Sequence, residues 1–97
     1  MTSDPIPDPA RLTAWVHGDV QGVGFRWWTR SRALELGLAG SATNTVDRRV
    51  LVVAEGPSAA CGRLLELLAS GGTPGRVDNV VASWGAPRGG LDGFVER

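Results

Sequence analysis

The stretch RLTAWVHGDVQGVGFRWWTRSRALELG, residues 11–37, changes its period part-way along. Up to Gly18, the apolar residues Leu12, Ala14 and Val16 alternate with Thr13, Trp15 and His17, the period of two of a strand with one buried face. From Phe25 onward, Phe25, Thr29, Ala33 and Leu36 recur at helical spacing, while Arg30, Arg32 and Glu35 lie off that stripe. A glycine-rich turn, Asp19–Gly24, lies between, and Gly37 follows the helix as a C-terminal glycine would. A strand over about 11–18 therefore feeds into a helix over about 25–36.

Outward from this unit, the pattern predicts strands over about 40–45 and 49–55, joined by a turn at Val46-Asp47-Arg48 short enough for an antiparallel hairpin. The β-prone run Val50–Val53 supports the second of these strands. Gly56-Pro57-Ser58 ends it and opens a second helix with the apolar stripe Cys61, Leu64, Leu65 and Leu68, stopped by Gly71 and Gly72. A strand over about 76–84 and a short strand near 93–97 complete the order. β-α-β-β-α-β with a terminal strand is the split βαβ arrangement of ferredoxin-like α+β folds, with two helices on one face of an antiparallel sheet. Residues 1–10, with Pro5, Pro7 and Pro9, are expected to form a disordered or extended tail, leaving 11–97 as one domain.

The 97 residues carry ten basic and ten acidic side chains, so there is no electrostatic footprint for nucleic acid or an anionic membrane. A small anion remains a possible ligand, because it needs only local positive potential. One cysteine, Cys61, permits no intramolecular disulfide and fits a reducing compartment. No apolar run approaches the ~20 residues of a membrane span, and the N-terminus lacks the features of a signal peptide. A soluble, cytoplasmic chain is expected, and with no strong interface signal, a monomer.

The chemistry lies in Val20-Gln21-Gly22-Val23-Gly24-Phe25-Arg26. Glycines tolerate positive φ and close backbone approach, so successive N–H groups can line an anion-binding concavity. The helix start adds unpaired N–H groups and the positive end of its dipole. Arg26, in the first turn, offers a planar guanidinium that can bond a phosphate twice. On residue chemistry alone, a plain tight turn beside a solvated arginine is the competing reading. The string has neither the Gly-Lys-Ser/Thr ending of a nucleotide loop nor the third spaced glycine of a dinucleotide fingerprint.

This string resembles the signature of the acylphosphatase family. The likeness continues through Thr29, Ala33 and Leu36-Gly37-Leu38-Ala39-Gly40 to Asn44, then Asp47, Val50 and Gly56, and more loosely around Trp84 and Phe94. The resemblance implies a ferredoxin-like domain that hydrolyses small acyl phosphates with no metal or cofactor. It implies that Arg26 and the backbone N–H groups of Val20, Gln21, Gly22, Val23, Gly24, Phe25 and Arg26 bind the phosphoryl group, and that Asn44 positions the attacking water. Phosphoryl transfer asks mainly for positioning and charge stabilisation. A carboxylate, the conjugate base of an acid with pKa about 4, leaves without a strong general acid. Asn44 by itself could equally be a turn residue. Thr29, on the buried helix face near the loop, is expected to support the loop through a backbone hydrogen bond. Two departures stand out: Arg48 replaces the glycine usual after Asp47, and Ala42 replaces a larger strand residue. Arginine does not suit a positive-φ hairpin turn, so a different or strained turn is expected, with the placement of Asn44 most exposed to it.

His17 reads as a strand-surface residue and Cys61 as core. Of Trp27 and Trp28, at most one can lie fully on the Phe25 stripe; the other is expected to be partly buried at the sheet edge or to cap the site. A second functional reading keeps the same loop as a non-catalytic phosphate- or acyl-phosphate-binding regulatory module. A nucleic-acid-binding sheet has weaker support, since Trp15 is the only aromatic in the first three strands.

Overall fold

The computed structural model describes residues 6–97. Its elements are β1 (Ala10–Asp19), α1 (Phe25–Glu35), β2 (Ala39–Asn44), β3 (Val50–Gly56), α2 (Ser58–Leu68), β4 (Arg76–Gly85) and β5 (Phe94–Glu96). The sheet order is β4-β1-β3-β2-β5. The alternation in β1 does what a period of two requires. Leu12, Ala14 and Val16 are fully buried, and they meet the buried residues of β3, Val50, Val52 and Ala54, across the ladder. Phe25 and Ala33 of α1 and Cys61, Leu64 and Leu68 of α2 join the same core, so both helices cover one face of the sheet. The other face keeps Trp15 and Leu51 only half-covered.

Four strands pair antiparallel as expected, but β5 runs parallel to β2, with Gly40 opposite Phe94. The reason lies in the sheet order. β4 occupies one edge and β5 the other, so residues 86–93 must cross the ends of the intervening strands, and the chain re-enters alongside β2 in the same direction. The crossing is pinned by Glu55, whose carboxylate accepts the N–H of Arg88 at 2.9 Å and of Gly89 at 3.1 Å and pairs with Arg11 at 2.6 Å.

Order also reaches into the segment expected to be a disordered or extended tail. Ala10 is a fully buried strand residue, and the Asp8 carboxylate accepts the Ser58 N–H at the start of α2. The expectation for residues 1–5 lies outside the described residues. Among the described residues, no helix is long and apolar enough to cross a membrane.

Candidate active site

Residues 20–24 connect β1 to α1, and both ends of the loop are anchored in the core by Val20 and Phe25, each 1% exposed. Between these anchors, Gly22 and Gly24 adopt left-handed φ values of 75° and 82°. A Cβ at either would meet nothing within 4 Å, so the backbone conformation, not crowding, calls for glycine there. Gly24 is also the N-cap of α1, and it can supply no side-chain acceptor. No acidic residue sits in the first turn. None of the backbone N–H groups from Val20 to Arg26 finds an acceptor among the described residues. The result is a run of uncommitted donors at the positive end of a helix. Asp19, the nearest carboxylate in the chain, is paired with Arg76 at 2.9 Å.

Arg26 projects from the first turn of α1 and donates from Nη1 to the main-chain oxygen of Arg97 at 2.6 Å. One turn on, Arg30 donates to the Phe94 oxygen at 3.0 Å, so two arginines on one helix face hold β5 and the residue that follows it. The Arg97 oxygen also accepts the Asn44 N–H at 3.0 Å. Thus the guanidinium and the main chain at position 44 meet on a single atom. In β2, Gly40 and Ala42 are buried and face the helices, and Asn44 follows in the same alternation onto that side. Its Oδ1 is buried and has no hydrogen-bond partner among the described residues. The loop is exposed at Gly22, Val23 and Gly24.

The hairpin after Asn44 keeps its register: Asn44 pairs with Val50, and the Thr45 N–H bonds the Arg49 oxygen at 3.0 Å. Residues 46–48 form a three-residue loop in which Arg48 takes φ 70°, the left-handed conformation a glycine would supply. The turn is strained at Arg48 rather than remodelled, and Asn44 is not displaced from the ladder. Compensation comes from local polar contacts. Asp47 accepts from the Thr45 hydroxyl and pairs with Arg49, and these bonds lower its carboxyl pKa to about 2. The Arg49 guanidinium lies 4.3 Å from the centroid of Trp15, a cation–π contact.

The structure thus brings Arg26, Asn44 and the loop 20–25 to one end of the sheet. Thr29 Oγ1 is buried and has no hydrogen-bond partner among the described residues, so the expected bond from it to the loop backbone is not seen. Trp28 is the indole that packs on the core, its ring 6.1 Å from Phe25, while Trp27 is 59% exposed. Cys61 is fully buried, and burial pushes its thiol pKa up, away from nucleophilic use. Sequence reasoning missed the side chain of Gln21. Its Nε2 donates to the Thr45 oxygen at 2.9 Å and to the Arg49 oxygen at 2.8 Å, tying the loop to the hairpin. No local pattern signals a bond across 24 and 28 residues.

The acylphosphatase family profile matches residues 12–95. The chain belongs to the acylphosphatase family. It is 73% identical over 88 residues to an acylphosphatase from Saccharopolyspora erythraea, covering 91% of this chain and 93% of that protein. It is 68% identical over 94 residues to one from Nocardia farcinica, covering 97% and 94%. The crystal structure of an acylphosphatase from Bacillus subtilis superposes with a TM-score of 0.84 at 29% identity, covering 91% of this chain and 98% of that one. Family membership places the chain among enzymes that hydrolyse acid anhydrides, on the ferredoxin-like scaffold described above.

Proposed function

We propose that this acylphosphatase-family chain hydrolyses the carboxyl–phosphate anhydride of small acyl phosphates, with Arg26 and the N–H groups of residues 20–26 holding the phosphoryl group and Asn44 positioning the attacking water. The observation that carries this reading is the convergence of three elements with bonding capacity to spare: the loop N–H donors, the Arg26 guanidinium and the unpartnered Asn44 Oδ1. Arg26 gives one donor to the Arg97 oxygen, which orients the guanidinium, and its remaining donors stay available to phosphate oxygens. An asparagine is no base at neutral pH, but its amide oxygen can accept a hydrogen bond from water and fix it in line with the scissile bond.

Water then attacks phosphorus, the P–O bond to the acyl oxygen breaks, and the carboxylate leaves with the bonding pair. A phosphate oxygen of the substrate takes the water's proton. Negative charge spread over the phosphoryl oxygens is met by the loop N–H groups and Arg26, so the reaction requires no metal. A phosphate ester would leave as a poor alkoxide, and turnover of esters is expected to be weak. The same reading takes the protein as a cytoplasmic monomer, and a lone thiol fits a reducing compartment.

The test is release of inorganic phosphate from acetyl phosphate and benzoyl phosphate in EDTA. Activity that persists in EDTA supports the reading, and phosphate binding without turnover would make the loop a binding module instead. Arg26→Ala should weaken inhibition by inorganic phosphate by about 1.5–3 kcal/mol, the worth of a charge-assisted hydrogen bond. An unchanged inhibition constant removes Arg26 from the cradle.

A further inference from the structure

Gln21 lies in the loop between the buried anchor Val20 and Gly22, and its side chain turns away from solvent to the β2–β3 hairpin. The two carbonyls it bonds flank the rung that carries Asn44. Thr45 follows Asn44, and Arg49 precedes Val50, the partner of Asn44 in the ladder. Both hydrogens of Nε2 are engaged, at 2.9 and 2.8 Å, so the amide constrains the hairpin from two directions. Among the described residues, these are the only hydrogen bonds joining residues 20–24 to residues 44–50.

From this geometry we propose that Gln21 is a positioning residue: its side-chain amide stitches the phosphate-binding loop to the hairpin and so fixes the distance between the bound phosphorus and the water held by Asn44. The inference deepens the reading above and rests on it. The stitch is separable from folding, because neither carbonyl depends on Gln21 alone. The Thr45 oxygen also accepts the Arg48 N–H at 3.1 Å, and the Arg49 oxygen also accepts the Thr45 N–H at 3.0 Å. Replacing Gln21 with an apolar residue of similar length therefore orphans no buried acceptor and leaves the turn closed. What it removes is the link between two halves of a site in which a misplacement of ~1 Å costs on the order of 100-fold in rate.

The test is a double-mutant cycle with Gln21→Met and Asn44→Ala, reading kcat, KM and inhibition by inorganic phosphate. Gln21→Met should lower kcat about 10- to 100-fold and leave phosphate inhibition within about twofold. In the Asn44→Ala background, the same change should alter kcat by less than about twofold, because the group being positioned is gone. Equal losses in both backgrounds, or a loss of phosphate affinity that accounts for the whole effect, overturn the proposal. If Asn44→Ala alone leaves kcat unchanged, the water-positioning reading fails and the proposal falls with it. If Asn44→Ala is impaired and Gln21→Met is additive, the positioning role of Gln21 is overturned while the water-holding role of Asn44 stands. A further measurement needs no variant. The Gln21 side-chain amide protons of the native protein should exchange with water more slowly than those of an unprotected glutamine, and exchange at the free rate overturns the stitch.

Discussion

Arg48 shows how a single residue can carry strain without disturbing a site. At φ 70°, an L side chain pays a steric penalty that glycine does not, on the order of 1–2 kcal/mol. Glycine loses more backbone entropy on folding, which offsets part of the gain. Arg48→Gly should therefore raise stability by up to about 1 kcal/mol, seen as a higher urea midpoint at unchanged m-value. Its kcat should stay close to that of the native protein, because Asn44 already sits in register. A large rise in kcat would mean that the strain does reach Asn44. Gly22 and Gly24 are the converse case: the conformation there is left-handed and the residue suits it. Arg26 shows a third relation, in which the side chain proposed to bind phosphate is oriented by the main chain of Arg97, 71 residues away.

At the scale of elements, the decisive one is the crossing between β4 and β5. It has no regular structure, yet it determines where β5 lies and so where the Arg97 oxygen meets Arg26 and Asn44. Glu55 holds this crossing through two N–H bonds and Arg11. The bonds from Arg88 and Gly89 and the pairing with Arg11 outweigh burial and pull its carboxyl below the usual range. A carboxyl with a depressed folded-state pKa adds stability that is complete above its unfolded value, about 4.3 for glutamate. That stability is lost as pH falls through the lower folded value. Asp47, at about 2 in the folded protein, follows the same direction. Unfolding midpoints should therefore hold near neutrality and fall as the pH drops from about 4 toward 2. Glu55→Gln should lower the midpoint at neutral pH and flatten this decline. A midpoint independent of pH in the native protein would show that neither carboxylate bond contributes. Glu55→Ala, which leaves Arg11 unpaired, should cost about 2–3 kcal/mol.

For the whole molecule, the core and the site are linked unevenly. Phe94 is 3% exposed, and its main-chain oxygen is gripped by Arg30. Phe94→Ala should cost roughly 3–5 kcal/mol in stability. By loosening β5 it should also weaken phosphate inhibition, because Arg26 loses its anchor at Arg97. Leu64 is also buried but lies on α2, which packs mainly on β1 and β3 and less on α1 and β4. Leu64→Ala should cost about 2–5 kcal/mol with kcat and phosphate inhibition nearly unchanged in the folded fraction. Comparing the two variants at a temperature where both remain folded separates loss of stability from loss of site geometry. Parallel loss of phosphate inhibition in both would contradict the role given to β5.

Much of this was legible in one dimension. The change of period between Val16 and Phe25 marks a strand passing into a helix. The glycines at 22 and 24 mark a left-handed loop, and Arg26 falls in the first turn by count alone. These features depend on neighbouring residues, and local sterics, helix geometry and alternation determine them wherever the chain folds. Contacts between distant residues were not legible. The parallel pairing of β5, the pin at Glu55, the meeting of Arg26 and Asn44 on the Arg97 oxygen, and the bonds from Gln21 to the hairpin each join residues far apart in the chain. No periodicity encodes such partners. They are selected when the core closes over both helices, because burial then brings particular donors within reach of particular acceptors and favours those that pair.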